Sequence, residues 1–139
     1  MTDAGGTVLL VEDSPGDEFL LVTELEQSPL VGRVDIARDG QQALDYLLDH
    51  GRELPRLVLM DLKLPRIDGH EVLTRLRAEE RTRMLPVVVV SSSAEHRDVQ
   101  LAYSSGANGY VRKPIRAEAL SESIQRLLGF WLAVNETYA

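Results

Sequence analysis

Pro86 is followed by Val87-Val-Val-Val90, four β-branched residues with no polar residue among them. A strand with one wet face alternates polar and apolar side chains. An unbroken β-branched run instead fits a strand covered on both faces, the condition of a parallel sheet lying between helices. Parallel neighbours require crossover connections, so the rest of the chain has to supply strand and helix in alternation. Thr7-Val-Leu-Leu-Val11 is a second apolar run, and Ser14-Pro15-Gly16-Asp17 after it opens a helix that carries Phe19, Leu20, Val22 and Leu25 and stops at Ser28-Pro29. Val34 to Ala37 alternates, Asp39-Gly40 punctuates, and Ala43, Leu44, Leu47 and Leu48 mark a second helix. Leu57 to Met60, a loop from Pro65 to Gly69, and Val72, Leu73 and Leu76 repeat the unit. After the valine run, Ser91 to Ser93 caps a helix with Val99, Ala102 and Tyr103 that ends at Gly106. Asn108 to Arg112 is a fifth strand, with a last helix from about Arg116. The pattern predicts an α/β fold: a doubly wound five-stranded parallel sheet with helices on both faces.

The 139 residues make one domain of ordinary globular composition, 44% hydrophobic and 27% charged. No apolar run approaches the ~18 residues of a membrane span, and Met1-Thr-Asp-Ala-Gly-Gly6 has neither the basic cluster nor the apolar core of a secretory signal, so a cytoplasmic place is expected. The absence of cysteine removes disulfides, thiolate nucleophiles and cysteine-held metals. A net charge of −7 argues against a nucleic-acid partner.

Ligands of doubly wound sheets sit at the carboxyl ends of the strands. The first strand ends in Glu12-Asp13, the third in Asp61, the fourth in Ser91, and the fifth leads into Lys113-Pro114. Three neighbouring carboxylates repel one another unless a cation neutralises them, and oxygen donors without thiolate or paired histidine select a hard ion such as Mg²⁺. With an ammonium from Lys113 and a hydroxyl from Ser91, the rim suits a phosphoryl group on a carboxylate nucleophile.

Leu9-Leu-Val-Glu12-Asp13, Leu57-Val-Leu-Met-Asp61, Leu64-Pro-Arg-Ile-Asp-Gly69, Val90-Ser91 and Gly109-Tyr-Val-Arg-Lys113-Pro114 together resemble the receiver domain of two-component response regulators. The resemblance implies a flavodoxin-like sheet of order 2-1-3-4-5 and a receiver over residues 7–128, between a loose terminus at 1–6 and a helical extension at 129–139. It implies that Asp61 accepts a phosphoryl group from a sensor histidine kinase, and that Glu12, Asp13, Asp61 and the backbone carbonyl of Lys63 hold Mg²⁺. Ser91 would be the switch hydroxyl, Tyr110 the switch aromatic, and Lys113 the ammonium paired with phosphate, with Pro114 after a cis peptide bond. Ser91 stands where many receivers carry threonine, which offers the same donor and acceptor. Within the family, Val11-Glu-Asp-Ser-Pro-Gly-Asp17 and Gly129-Phe-Trp-Leu132 are similar to small single-domain regulators paired with phytochrome-type kinases.

Rival readings narrow the field. Ser14 and Asp17 read as helix caps and stay outside the site, while Asp39-Gly40 and Asp68-Gly69 read as turns whose glycines take positive φ. Tyr110 could serve only to pack the last helix, and Ser91 only to cap the fourth. None of His50, His70 and His96 has a partner four residues on, so no histidine metal site is expected. Haloacid-dehalogenase-like phosphatases also use a strand-end aspartate but need a second acid two residues later, where Lys63 stands; a flavodoxin-like carrier would repel its phosphate with Glu12-Asp13. A receiver of this kind leaves no room in 139 residues for an output domain, so output by contact with a downstream protein is expected, and the chain is read as no enzyme beyond its own phosphotransfer and dephosphorylation. Finally, Leu120, Ile124, Leu127, Trp131, Val134 and Tyr138 recur as a heptad-like seam that predicts a homodimer through the C-terminal extension.

Overall fold

Inside each strand, alternate side chains feed two separate cores. Leu9, Val11, Val58, Met60, Val87 and Val89 point to one face, and Val8, Leu10, Leu57, Leu59, Val88 and Val90 to the other, all essentially without solvent exposure. The computed structural model describes residues 6–114 and 116–136, so the terminus at 1–5, Ile115 and Tyr138 lie outside it. Its strands β1 (Thr7–Val11), β2 (Arg33–Ala37), β3 (Leu57–Met60), β4 (Val87–Ser91) and β5 (Gly109–Arg112) alternate with helices α1 (Pro15–Glu26), α2 (Gly40–Leu47), α3 (Gly69–Ala78), α4 (His96–Ser105) and α5 (Ala117–Leu128). The sheet is parallel throughout, in the order β2-β1-β3-β4-β5. Helices α1 and α5 cover one face; α2, α3 and α4 cover the other. The predicted fold class is therefore the observed one.

Three local expectations need correction. Neither Gly40 nor Gly69 takes positive φ; among the described glycines only Gly6 and Gly106 do. Asp39 and Asp68 are helix N-caps, accepting the amides of Gln42 and Glu71 at 2.7 and 3.0 Å. The glycines after them answer to crowding: a Cβ on Gly40 would lie 1.8 Å from the Ile67 carbonyl oxygen, and one on Gly69 2.9 Å from that of Asp61. Second, the bond before Pro114 is trans, no cis peptide occurring among the described residues. The tertiary amide before proline separates the isomers by only ~1 kcal/mol, so local packing chooses between them. Third, α4 starts at His96 behind Glu95, an N-cap that makes no side-chain bond, while Ser91 ends β4 and Ser92 and Ser93 lie in the connection between them.

Beyond Leu128 the chain widens into a π-helical turn over Gly129–Val134, closed by the Asn135 amide on the Phe130 carbonyl at 2.7 Å. The change of pitch moves the heptad seam. Leu120, Ile124 and Leu127 are buried as expected, and Leu132 joins them. Trp131 packs against the sheet, its Cζ2 3.7 Å from where a Gly109 Cβ would stand, and the Leu132 carbonyl accepts from Arg56 at 3.3 Å. Trp131 is thus no bare stripe in water, while Phe130 and Val134 are exposed.

Candidate functional site

The parallel ladder runs one residue past several strands, and that extra step builds the site. The Asp61 amide donates to Val11 at 3.0 Å, Glu12 to Ala37 at 3.0 Å and Lys113 to Ser91 at 2.7 Å. Glu12, Asp61, Ser91 and Lys113 therefore reach one rim of the sheet on backbone hydrogen bonds. Gly69, pressed on the Asp61 carbonyl, donates its amide to Leu62 at 2.9 Å and seats the start of α3 beneath the same rim.

The Lys113 ammonium sits among carboxylates, 2.6 Å from Glu12 Oε1, 2.8 Å from Asp61 Oδ2 and 3.0 Å from Asp17 Oδ2. An ammonium has three N–H donors, and each has one acceptor here. The side chains of Lys113, Glu12 and Asp61 are 9%, 2% and 12% exposed. Burial raises the pKa of Glu12, an effect that Lys113 opposes without cancelling. Burial alone would lower that of Lys113, but hydrogen bonds to Asp61 and Glu12 outweigh it and the ammonium is held charged. The remaining oxygens have partners too: Asp61 Oδ1 accepts the Lys63 amide at 3.1 Å, and Glu12 Oε2 the Ser14 amide at 3.2 Å.

Ser91 is buried, and its Oγ accepts the Ser93 amide at 3.2 Å. The Tyr110 hydroxyl donates to the Ser93 carbonyl at 2.8 Å, so the aromatic and the hydroxyl expected to work together meet through one short turn. A cavity of about 160 Å³ opens beside Ser91, lined by Leu62, Lys63, Asp68, His70 and Asp98. Asp13 is exposed and lines a different space, a groove of about 480 Å³ between α1 and β2.

The three expected carboxylates thus meet only in part. Glu12 and Asp61 converge on Lys113, and among the described residues no three His, Cys, Asp or Glu side chains form a ready metal cage. The donor set still fits a hard divalent cation, being all oxygen, and Glu12 and Asp61 already share a positive charge. Asp17 is the residue that sequence reasoning missed. Its amide does complete the Ser14 cap, at 3.3 Å, but its carboxylate was never needed for that bond and reaches Lys113. The first turn of α1 lies beside the end of β1, which is the signal that could have found it.

The response regulator receiver domain family matches residues 8–125. Over 133 residues the chain is 42% identical to the "Probable methanogenesis regulatory protein FilR2" of Methanothrix harundinacea, covering 94% of this chain and 86% of that one. Among solved structures it is similar to the phosphorylated cyanobacterial phytochrome response regulator RcpA, with a TM-score of 0.91 and 31% identity over 98% of this chain and all of that one. It is also similar to the Mn²⁺-bound response regulator Rcp1, with a TM-score of 0.88 and 33% identity over 96% and 99% of the two chains. A histidine-kinase partner accords with these relatives, and no helix among the described residues is long and apolar enough to cross a membrane. The rim of strand ends around Lys113 and the matching of nearly the whole sheet converge on one conclusion: the chain belongs to the receiver-domain family of response regulators, signalling modules whose chemistry is their own phosphorylation and dephosphorylation.

Proposed function

We propose that Asp61 is the phosphoacceptor and that the donor is the phosphohistidine of a sensor kinase. The observation that carries this reading is the Lys113 ammonium bonded at once to Asp61 and Glu12, a buried charge arrangement with little purpose in a merely structural strand end. An Asp61 carboxylate oxygen attacks phosphorus, the phosphorus–nitrogen bond breaks, and the electron pair returns to the imidazole nitrogen, which takes up a proton. Lys113 follows onto a phosphoryl oxygen and the Ser91 hydroxyl donates to another. Glu12, Asp13, Asp61 and the Lys63 carbonyl would hold Mg²⁺, which when bound neutralises the carboxylates and the phosphoryl oxygens. In the reverse arm water attacks phosphorus, the bond to Asp61 breaks, and the carboxylate and inorganic phosphate are restored with release of a proton. As Ser91 moves to the phosphoryl group, Tyr110 exchanges its Ser93 contact for the space that Ser91 leaves, and the surface of α4, β5 and α5 changes for a downstream protein.

The resemblance to RcpA and Rcp1 favours a kinase of the phytochrome type, meeting this chain in the cytoplasm, and the exposed Phe130 and Val134 favour a homodimer. Intact-mass analysis after exposure to Mg²⁺ and acetyl phosphate tests the core reading. An adduct of about 80 Da, the mass of one phosphoryl group, is expected on the wild-type chain and not on Asp61→Asn. An equal adduct on both would remove Asp61 from the role.

A further inference from the structure

We propose that Asp17 is a positioning residue for phosphoryl transfer, acting through Lys113; the proposal rests on Asp61 being the phosphoacceptor. Three carboxylates hold the ammonium, and two of them change chemistry when the site works. Asp61 gives up its charge to the acyl phosphate, and Glu12 is one of the residues that would hold Mg²⁺. Asp17 is the acceptor left as it was, 3.0 Å from Nζ and 42% exposed, at the start of α1 rather than on a strand end. It therefore anchors one N–H of Lys113 to α1 and leaves the other two to pass from carboxylates to phosphoryl oxygens.

Take that anchor away, and the ammonium keeps only Glu12 and Asp61. It then draws closer to the oxygen that must attack phosphorus and competes harder with any cation for the same carboxylates. Asp17 can be altered without disturbing the helix start, because the Ser14 cap is made by the Asp17 backbone amide and Pro15 begins the helix. Asp17→Asn keeps shape, cap and a hydrogen-bond acceptor and loses only the charge.

The chain contains two lysines, Lys63 and Lys113. Lysine labelled with nitrogen-15 therefore gives two ammonium signals, and the enclosed one belongs to Lys113. In Asp17→Asn we expect the Lys113 signal to shift or to broaden through faster exchange with water, and labelling by acetyl phosphate to slow by up to about fivefold, the range of a half-exposed ion pair. Asp17→Glu should recover part of the rate. Wild-type labelling kinetics in Asp17→Asn would overturn the proposal, and so would slower labelling with the Lys113 signal unmoved. Asp61→Asn, run in parallel, separates this outcome from failure of the phosphoacceptor reading: if that variant is labelled like the wild type, the fault lies with Asp61 and not with Asp17.

Discussion

At the scale of the residue, the decisive economy is that one ammonium serves several buried acids. Removing it leaves Glu12 and Asp61 charged, close together and nearly dry, at a cost of ~3 kcal/mol. Lys113→Ala should therefore show a lower denaturant midpoint than the wild type in metal-free buffer, and Mg²⁺ should restore more stability to the variant than it adds to the wild type, because no ammonium then competes for the carboxylates. Equal gains from Mg²⁺ in both proteins would contradict this competition. A pH dependence follows from Glu12, whose pKa is raised in the folded chain above its ordinary 4.5 by burial. The folded state then binds more protons than the unfolded state, so stability falls as pH rises from 4.5 through the folded value. Measured against Glu12→Gln at each pH, the wild type should lose ground across that window; a constant difference would mean that Glu12 titrates alike in both states. Glu12, Asp61, Ser91 and Lys113 were legible in the sequence because strand ends and residue chemistry coincide there. Asp17 was not, because a cap motif already explained it and a motif does not say which atom makes the bond.

At the scale of the element, glycine marks two opposite situations. A Cβ at Gly40 would strike the Ile67 carbonyl, which cannot yield as a flexible side chain does, whereas Gly129 has nothing within 4 Å of such an atom and helical φ of −59°. Gly40→Ala should thus destabilise by ~1–3 kcal/mol through overpacking, and Gly129→Ala should stabilise by up to ~1 kcal/mol through helix propensity. Thermal unfolding of the two variants checks both signs, and a stabilised Gly40→Ala would refute the crowding argument. Asp39-Gly40 and Asp68-Gly69 looked like turns because an aspartate followed by glycine suits a turn and a capped, tightly seated helix start equally. Only backbone brought close by the fold distinguishes them, that of Ile67 against Gly40 and that of Asp61 and Leu62 against Gly69. The heptad seam holds through Leu127 and departs at Trp131 for a related reason: it presumes a constant helical pitch, and the π-helical turn at Gly129–Val134 rotates Trp131 onto the sheet.

At the scale of the whole molecule, the two-faced sheet was readable from four valines together with the alternation of strand and helix around them, since such a run fits the interior of a parallel sheet covered on both sides. Where the last turn would pack was not readable, for it depends on the space left beneath β5 by Gly109 and beside Arg56. That packing reshapes the dimer prediction. Trp131→Asp would damage the fold itself, so Phe130→Asp is the proper probe: sedimentation equilibrium should find a dimer for the wild-type chain at micromolar concentration and a folded monomer for the variant, and a monomeric wild type, phosphorylated and not, would contradict it. The signalling chemistry of the molecule turns on which side chain carries the phosphoryl group. Borohydride reduces an acyl phosphate to an alcohol, so peptide mapping after phosphorylation and reduction should find homoserine in place of aspartate at position 61 and at no other acidic residue. Homoserine at Asp13 or Asp17 with Asp61 intact would contradict the account.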